Sequence, residues 1–125
     1  MGESEAVARP VVLVVEDEWL VRFHAIEMLD EAGFVALEAS NADEAVAILE
    51  SRADIRVVFT DIDMPGSMDG LKLARAVRDR WPPIKIIVTS GHRSASTADL
   101  PEGGQFFGKP YDLGEVTRTI RQLIA

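Results

Sequence analysis

Asp61 sits in the stretch Val57 to Gly70, VVFTDIDMPGSMDG, after a short apolar, β-favouring run and before a loop punctuated by Pro65, Gly66 and Gly70. An aspartate so placed ends a buried strand and faces an irregular loop, which is where open α/β sheets bind ligands. Alone it is ambiguous, because an aspartate after a strand as readily caps the next turn. Other polar residues close other apolar runs: Glu16 and Asp17 follow Val11 to Val15, Thr89 ends Ile84 to Thr89, and Lys109 follows Gln105 to Gly108. Gathered on one edge, the carboxylates would repel and raise each other's pKa unless something positive lay between them. Lys109 is one charge against three acids. A bound cation supplies the balance, and a set with oxygen ligands and no His or Cys suits a hard ion such as Mg²⁺, with Mn²⁺ as a substitute. Mg²⁺ takes one or two carboxylates, waters and phosphate oxygens, which points to phosphoryl chemistry. A carboxylate can attack phosphorus to form an aspartyl phosphate, and that transfer needs positioning and charge neutralisation above all. Asp61 would attack, the metal and Lys109 would neutralise the equatorial oxygens, and the Thr89 hydroxyl would donate a hydrogen bond to one of them.

Such a set works only if the fold brings the run ends together. Val11 to Val15 is continuously apolar, as a central strand buried on both faces should be. Trp19 to Ala32 reads as a helix with Val21, Ala25, Met28, Leu29 and Ala32 at helical spacing, and Gly33 is placed to end it. Phe34 to Ala39 is a second strand. Asn41 with Glu44 makes a capping box for a helix to about Arg52, burying Ala45, Ile48 and Leu49. Ile55 to Thr60 and Ile84 to Thr89 are the third and fourth strands. Between them, Gly70 to Arg80 is a helix with Leu71, Ala74 and Val77 on one face, stopped by Trp81-Pro82-Pro83. The stretch Ser90 to Gly104 holds little apolar content and room for a helical turn or two, around Ser94 to Asp99. Gln105 to Gly108 is a short fifth strand, and Asp112 with Glu115 caps a last helix carrying Leu113, Val116, Ile120, Leu123 and Ile124.

Strands alternating with helices imply a doubly wound parallel sheet with helices on both faces. In the flavodoxin-like order 2-1-3-4-5, the first and third strands are neighbours at the switch point, so Asp17 and Asp61 would face each other across the crevice. The chain has 125 residues, which suits one domain: a lead-in over residues 1–9 and a folded unit over 10–125. The formal net charge is −8, from 13 basic against 21 acidic residues, with no basic cluster. Direct nucleic-acid binding is therefore not expected. No apolar run reaches membrane-spanning length, no signal-peptide core opens the chain, and cysteine is absent. A cytoplasmic protein without membrane contact is the expectation.

The landmarks VVLVVEDE (Val11 to Glu18), TDIDMPGSMDG (Thr60 to Gly70), IIVTSG (Ile86 to Gly91) and GKPY (Gly108 to Tyr111) closely resemble the receiver domain of two-component response regulators, of the chemotaxis-receiver kind. The resemblance covers Val11 to the end, and the absence of a linker before Ala125 favours a single-domain regulator. It implies that Asp61 accepts a phosphoryl group from a phosphohistidine of a sensor histidine kinase or a histidine phosphotransfer protein. It further implies Asp17 as a direct Mg²⁺ ligand, Glu16 acting mainly through water, and the Asp63 main-chain carbonyl completing the metal shell. Thr89 and Lys109 grip the phosphoryl group, the Lys109–Pro110 bond is cis, and Phe106 holds the aromatic switch position. On this resemblance, phosphorylation is expected to draw Thr89 toward the new oxygens and to let Phe106 turn into the vacated space, biasing two pre-existing conformations. The resemblance thus implies a switch that binds a protein target and dephosphorylates itself slowly, as a monomer or weak dimer, rather than a turnover enzyme.

Four positions depart from the usual pattern. The loop after Pro65 is one residue longer, Phe106 lacks the hydroxyl of the commoner tyrosine, and the helix between the fourth and fifth strands is short. Asp63 is acidic where a neutral side chain is frequent, which would alter phosphoryl lifetime by repelling an incoming anion or water. VVFTDIDMPG also fits the strand-then-DxD signature of haloacid dehalogenase-type phosphohydrolases, with Asp63 as the acid; there, however, the DxD strand comes first, whereas here the acidic pair does. His24 and His92 read as surface residues. Trp19, beside the acidic pair, reads as packing or as a kinase contact. Of Thr89 and Ser90, which alternate in face, Thr89 is the one assigned to the site.

Overall fold

The computed structural model describes residues 9–64, 69–91 and 100–125. Strand β1 (Val11–Val15) is buried at every position, as a strand covered on both faces must be. It is followed by α1 (Trp19–Glu31), β2 (Val35–Ala39), α2 (Ala42–Ser51), β3 (Ile55–Asp61), α3 (Gly70–Arg80), β4 (Lys85–Ser90), β5 (Gln105–Gly108) and α4 (Leu113–Ile124). The five strands form one sheet in the order β2-β1-β3-β4-β5, every neighbouring pair parallel. This is the doubly wound, flavodoxin-like arrangement that the sequence implies. The longer loop at 65–68, His92 and the short helix expected around Ser94 to Asp99 fall outside the described residues.

Alternation along the strands divides the core into two. Leu13, Val15, Val58, Ile86 and Val88 pack with α2 and α3, and Phe106 joins them from β5. Val12, Val14, Val57, Phe59 and Ile87 pack on the other side with Ala25 and Leu29 of α1 and Val116 and Ile120 of α4, with Phe107 against them. Following the alternation to the strand ends, Glu16, Asp61 and Thr89 continue the side of Val14, Phe59 and Ile87. Ser90 continues the side of Val88.

Local signals place the ends. Gly33 has φ +99°, where a Cβ is disfavoured, and turns the chain out of α1 into β2. Asn41 caps α2 by accepting from the Glu44 N–H at 2.9 Å. The expected reciprocal bond lands one residue further upstream: Glu44 Oε1 accepts from the Ser40 N–H at 2.7 Å and its hydroxyl at 2.9 Å. Asp69 and Asp112 cap α3 and α4 in the same manner. Arg9, read from sequence as part of the lead-in, is held: its guanidinium donates to the carbonyls of Phe34 at 2.6 Å and Gly33 at 3.2 Å. Met28, expected on the buried side of α1, is exposed, while Ala25 and Leu29 are covered.

Candidate functional site

The carboxyl ends of β1, β3 and β4, with the turn after β5, surround a cleft of about 310 Å³ lined by Glu16, Asp17, Glu18, Asp61, Asp63, Gly91 and Lys109. Parallel pairing is what assembles it. Val15 is opposite Thr60, so the residues after each, Glu16 and Asp61, meet at the edge where the strand order reverses. Asp61 is itself opposite Thr89.

Carboxylate oxygens of Glu16, Asp17 and Asp61 all lie within 4.8 Å of one another. Glu16 and Asp61 are 4% and 5% exposed, and Asp17 stands at the rim. The Lys109 ammonium reaches between the two buried acids, 3.0 Å from Glu16 Oε1 and 3.4 Å from Asp61 Oδ2. Glu16 Oε2 accepts from the Glu18 N–H at 3.1 Å, and Arg22 donates to the Glu16 carbonyl at 2.8 Å, which fixes the turn that carries the acidic pair. Asp61 Oδ1 is buried and has no hydrogen-bond partner among the described residues. A carboxylate oxygen kept from water without a donor is costly, so this atom is where a ligand has most to offer.

The charges follow from the burial. Burial raises the Asp61 carboxyl above its ordinary value, with Lys109 and the Asp63 backbone N–H pulling it back down. Burial likewise raises Glu16, opposed by the Glu18 N–H and Lys109. Burial works to lower the Lys109 ammonium, yet its hydrogen bond to Glu16 and the charges of Asp61 and Glu16 outweigh this and raise it. The shifts describe one imbalance: among the described residues, two buried acids and a rim acid share one half-buried ammonium. The donor set fits a hard divalent ion, being three carboxylates gathered within 4.8 Å with, among the described residues, no soft ligand beside them.

Two further features hold Asp61 in place. The Ile62 N–H donates to the Thr89 carbonyl at 2.8 Å and the Gly70 N–H to the Ile62 carbonyl at 3.0 Å. A Cβ on Gly70 would stand 1.9 Å from the Asp61 carbonyl oxygen, so only glycine lets the start of α3 pack on the end of β3.

Of the residues singled out from sequence, the structure brings Glu16, Asp17, Asp61, Asp63 and Lys109 to one cleft. Thr89 is buried beside it, and with Glu16, Asp61 and Tyr111 it lines a small internal void. Phe106 is not with them. It pairs with Val88, is half-buried and packs on the α2–α3 side of the sheet, opposite to Thr89. The Lys109–Pro110 bond is cis. Two residues that the sequence does not assign to the site also stand at it. Ser90 donates from its hydroxyl to Asp63 Oδ2 at 2.8 Å. Tyr111 packs edge-on against Phe59 with ring centres 5.4 Å apart, and its hydroxyl is pushed up to about 12 by burial and by the Glu16 charge. Tyr111 lies within the GKPY landmark, whereas Ser90 alternates in face with Thr89, so strand periodicity alone points it away from the site.

Comparison with known proteins points to one family, from sequence and from structure alike. The family described as "Response regulator receiver domain" matches residues 12–121. A "Sensor kinase CckA" from Brucella abortus is 34% identical over 117 residues, which cover 90% of this chain and 12% of that protein. A "Hydrogenase transcriptional regulatory protein HoxA" from Cupriavidus necator is 38% identical over 117 residues, 90% of this chain and 24% of that protein. The chain thus spans a quarter or less of the length of these curated relatives. Among solved structures, a response regulator receiver protein from Sinorhizobium medicae superimposes with a TM-score of 0.87 at 27% identity, covering 95% of this chain and 97% of that one.

Proposed function

The chain belongs to the response regulator receiver domain family of two-component systems, and on that premise we propose that Asp61 is its phosphoacceptor. The observation that carries this reading is the Asp61 carboxylate: buried, lining an acidic cleft, with one oxygen beside Lys109 and the other without a donor among the described residues. The donor is a phosphohistidine on a sensor histidine kinase or a histidine phosphotransfer protein. Asp61 attacks the phosphorus; the new P–O bond forms as the P–N bond breaks, and the departing imidazole keeps the electron pair and takes a proton from solvent. Lys109, already within 3.4 Å of Asp61, follows the charge onto the transferred group's oxygens, and the Thr89 hydroxyl donates to another. Asp17 and Asp61, the Asp63 main-chain carbonyl and, through water, Glu16 would hold Mg²⁺ or Mn²⁺. When bound, the ion supplies positive charge to the transferring oxygens.

The acyl phosphate is a state of the protein, not a turnover intermediate, and returns slowly by hydrolysis. Its readout begins at Thr89. Because Phe106 stands on the opposite side of the sheet, a pull on Thr89 reaches it through the β4 backbone, which pairs Val88 with Phe106 and Thr89 with Phe107. Output is a protein contact made by a monomer or weak dimer, in the cytoplasm; the net charge of −8 disfavours contact with a phosphate backbone. Trp19, Leu20 and Phe23 are 68%, 50% and 48% exposed on α1 next to the cleft, and they give the donor protein an apolar surface to rest on.

Incubation with acetyl phosphate and Mg²⁺ should add one phosphate by intact mass. Asp61→Asn and EDTA should each abolish the adduct. Turnover of a generic phosphate ester without an adduct would replace this reading by a phosphohydrolase.

A further inference from the structure

Asp63 lines the same cleft as Glu16, Asp17 and Asp61, yet its carboxylate stands outside the group of oxygens that lie within 4.8 Å of one another. It is two residues from Asp61 on a turn whose backbone N–H faces that carboxylate. What keeps it aside is Ser90, whose hydroxyl donates to Asp63 Oδ2 at 2.8 Å. Ser90 is a firm anchor. It is 2% exposed, it ends β4, and its carbonyl accepts the Lys109 N–H at 3.0 Å. The neighbouring Thr89 carbonyl accepts the Ile62 N–H at 2.8 Å, so the end of β4 is tied to the β3 turn and to the lysine turn at once. The Asp63 charge nonetheless acts on the site, raising the Asp61 carboxyl.

We propose that Ser90 is a positioning residue that sets the cation preference of the site: its hydroxyl holds the Asp63 carboxylate at the rim, so the cleft offers a Mg²⁺-type set of few carboxylates. The inference rests on the cation site described above. Mg²⁺ is small, keeps its waters and takes one or two carboxylates, whereas Ca²⁺ takes six to eight oxygens in a flexible shell. A fourth carboxylate released into the cleft therefore favours Ca²⁺ far more than Mg²⁺. The tie also reserves the Asp63 main chain for the metal while its side chain is engaged elsewhere.

Titration calorimetry of the unphosphorylated protein with MgCl₂ and with CaCl₂ tests this without reference to activity. Ser90→Ala should bind Ca²⁺ roughly tenfold more tightly, with Mg²⁺ affinity changed by less than about threefold, since added ligand charge tunes Ca²⁺ affinity most. Ser90→Thr keeps the hydroxyl and should titrate as the parent. The double variant Ser90→Ala with Asp63→Asn should lose the Ca²⁺ gain, which separates the effect from a general loosening of the fold. Parent-like Ca²⁺ binding by Ser90→Ala, or a gain that survives Asp63→Asn, would overturn the role of Ser90. A parent protein that binds neither cation would instead sink the cation site itself.

Discussion

At the scale of single residues, the site is governed by the mismatch between its buried acids and the half-buried Lys109. Asp61 and Glu16 hold their protons at higher pH than ordinary carboxyls, chiefly because they are buried. A carboxyl raised in the folded state costs stability as pH rises: the unfolded chain ionises first, from the ordinary value upward, and the loss is complete above the raised value. In metal-free buffer, Asp61→Asn should therefore melt above the parent at neutral pH, with the gap closing as pH falls into the ordinary carboxylate range. Mg²⁺ should narrow the same gap at neutral pH, because it favours the ionised parent alone. Thermal melts across pH, with EDTA or Mg²⁺, check both. A variant that melts below the parent throughout would mean that the Lys109 contact outweighs the desolvation of Asp61.

Among the elements, α1 and α3 do the positioning. The start of α3 packs against the strand end that carries Asp61, and Gly70 is the contact. Gly70→Ala should destabilise the domain by about 3 kcal/mol, since the obstacle is backbone that cannot move aside. Denaturant unfolding measures this, and a loss under about 1 kcal/mol would contradict the contact. Helix α1 holds the acidic turn through Arg22 and exposes Trp19, Leu20 and Phe23 beside it. Replacing Trp19 and Phe23 together by Ala should slow transfer from a phosphohistidine protein roughly tenfold or more, as for interface anchors, and leave labelling by acetyl phosphate as it was. Equal loss with both donors would show that the substitutions reach the cleft itself. The sequence reads α1 less well than any other helix. Its apolar residues spread around the cylinder, so spacing alone puts Met28 inward, while the fold covers Ala25 and Leu29 and leaves Met28 out.

For the molecule as a whole, a parallel sheet turns a one-dimensional pattern into a site. Apolar runs that end in Glu16-Asp17, Asp61, Thr89 and Lys109 are visible in the chain, and parallel pairing necessarily places their ends on one edge. That is why most of the cleft could be read without coordinates. What could not be read depends on chain reversal after the strands. Period-2 alternation sets Ser90 apart from Thr89, and it does so correctly inside β4. Past the end of β3, however, the chain bends back and brings Asp63 within hydrogen-bond reach of Ser90. The position of Phe106 is the same lesson reversed: its place in the fifth strand was legible, but its side of the sheet is settled by pairing with Val88. Arg9 shows a third limit, since a charged residue before a strand carries no local sign that three carbonyls await it across the α1–β2 turn.

The central claim is that Asp61 is the residue that carries the phosphoryl group, and it can be read chemically. Borohydride reduces an acyl phosphate but not a free carboxylate, so a phosphorylated aspartate is left as homoserine. The protein should be treated with acetyl phosphate and Mg²⁺, reduced, digested and sequenced by mass. Homoserine is expected at position 61 alone, and nowhere when Mg²⁺ is withheld. Homoserine at Asp17 or Asp63, or a stable adduct that leaves position 61 as aspartate, would contradict that claim.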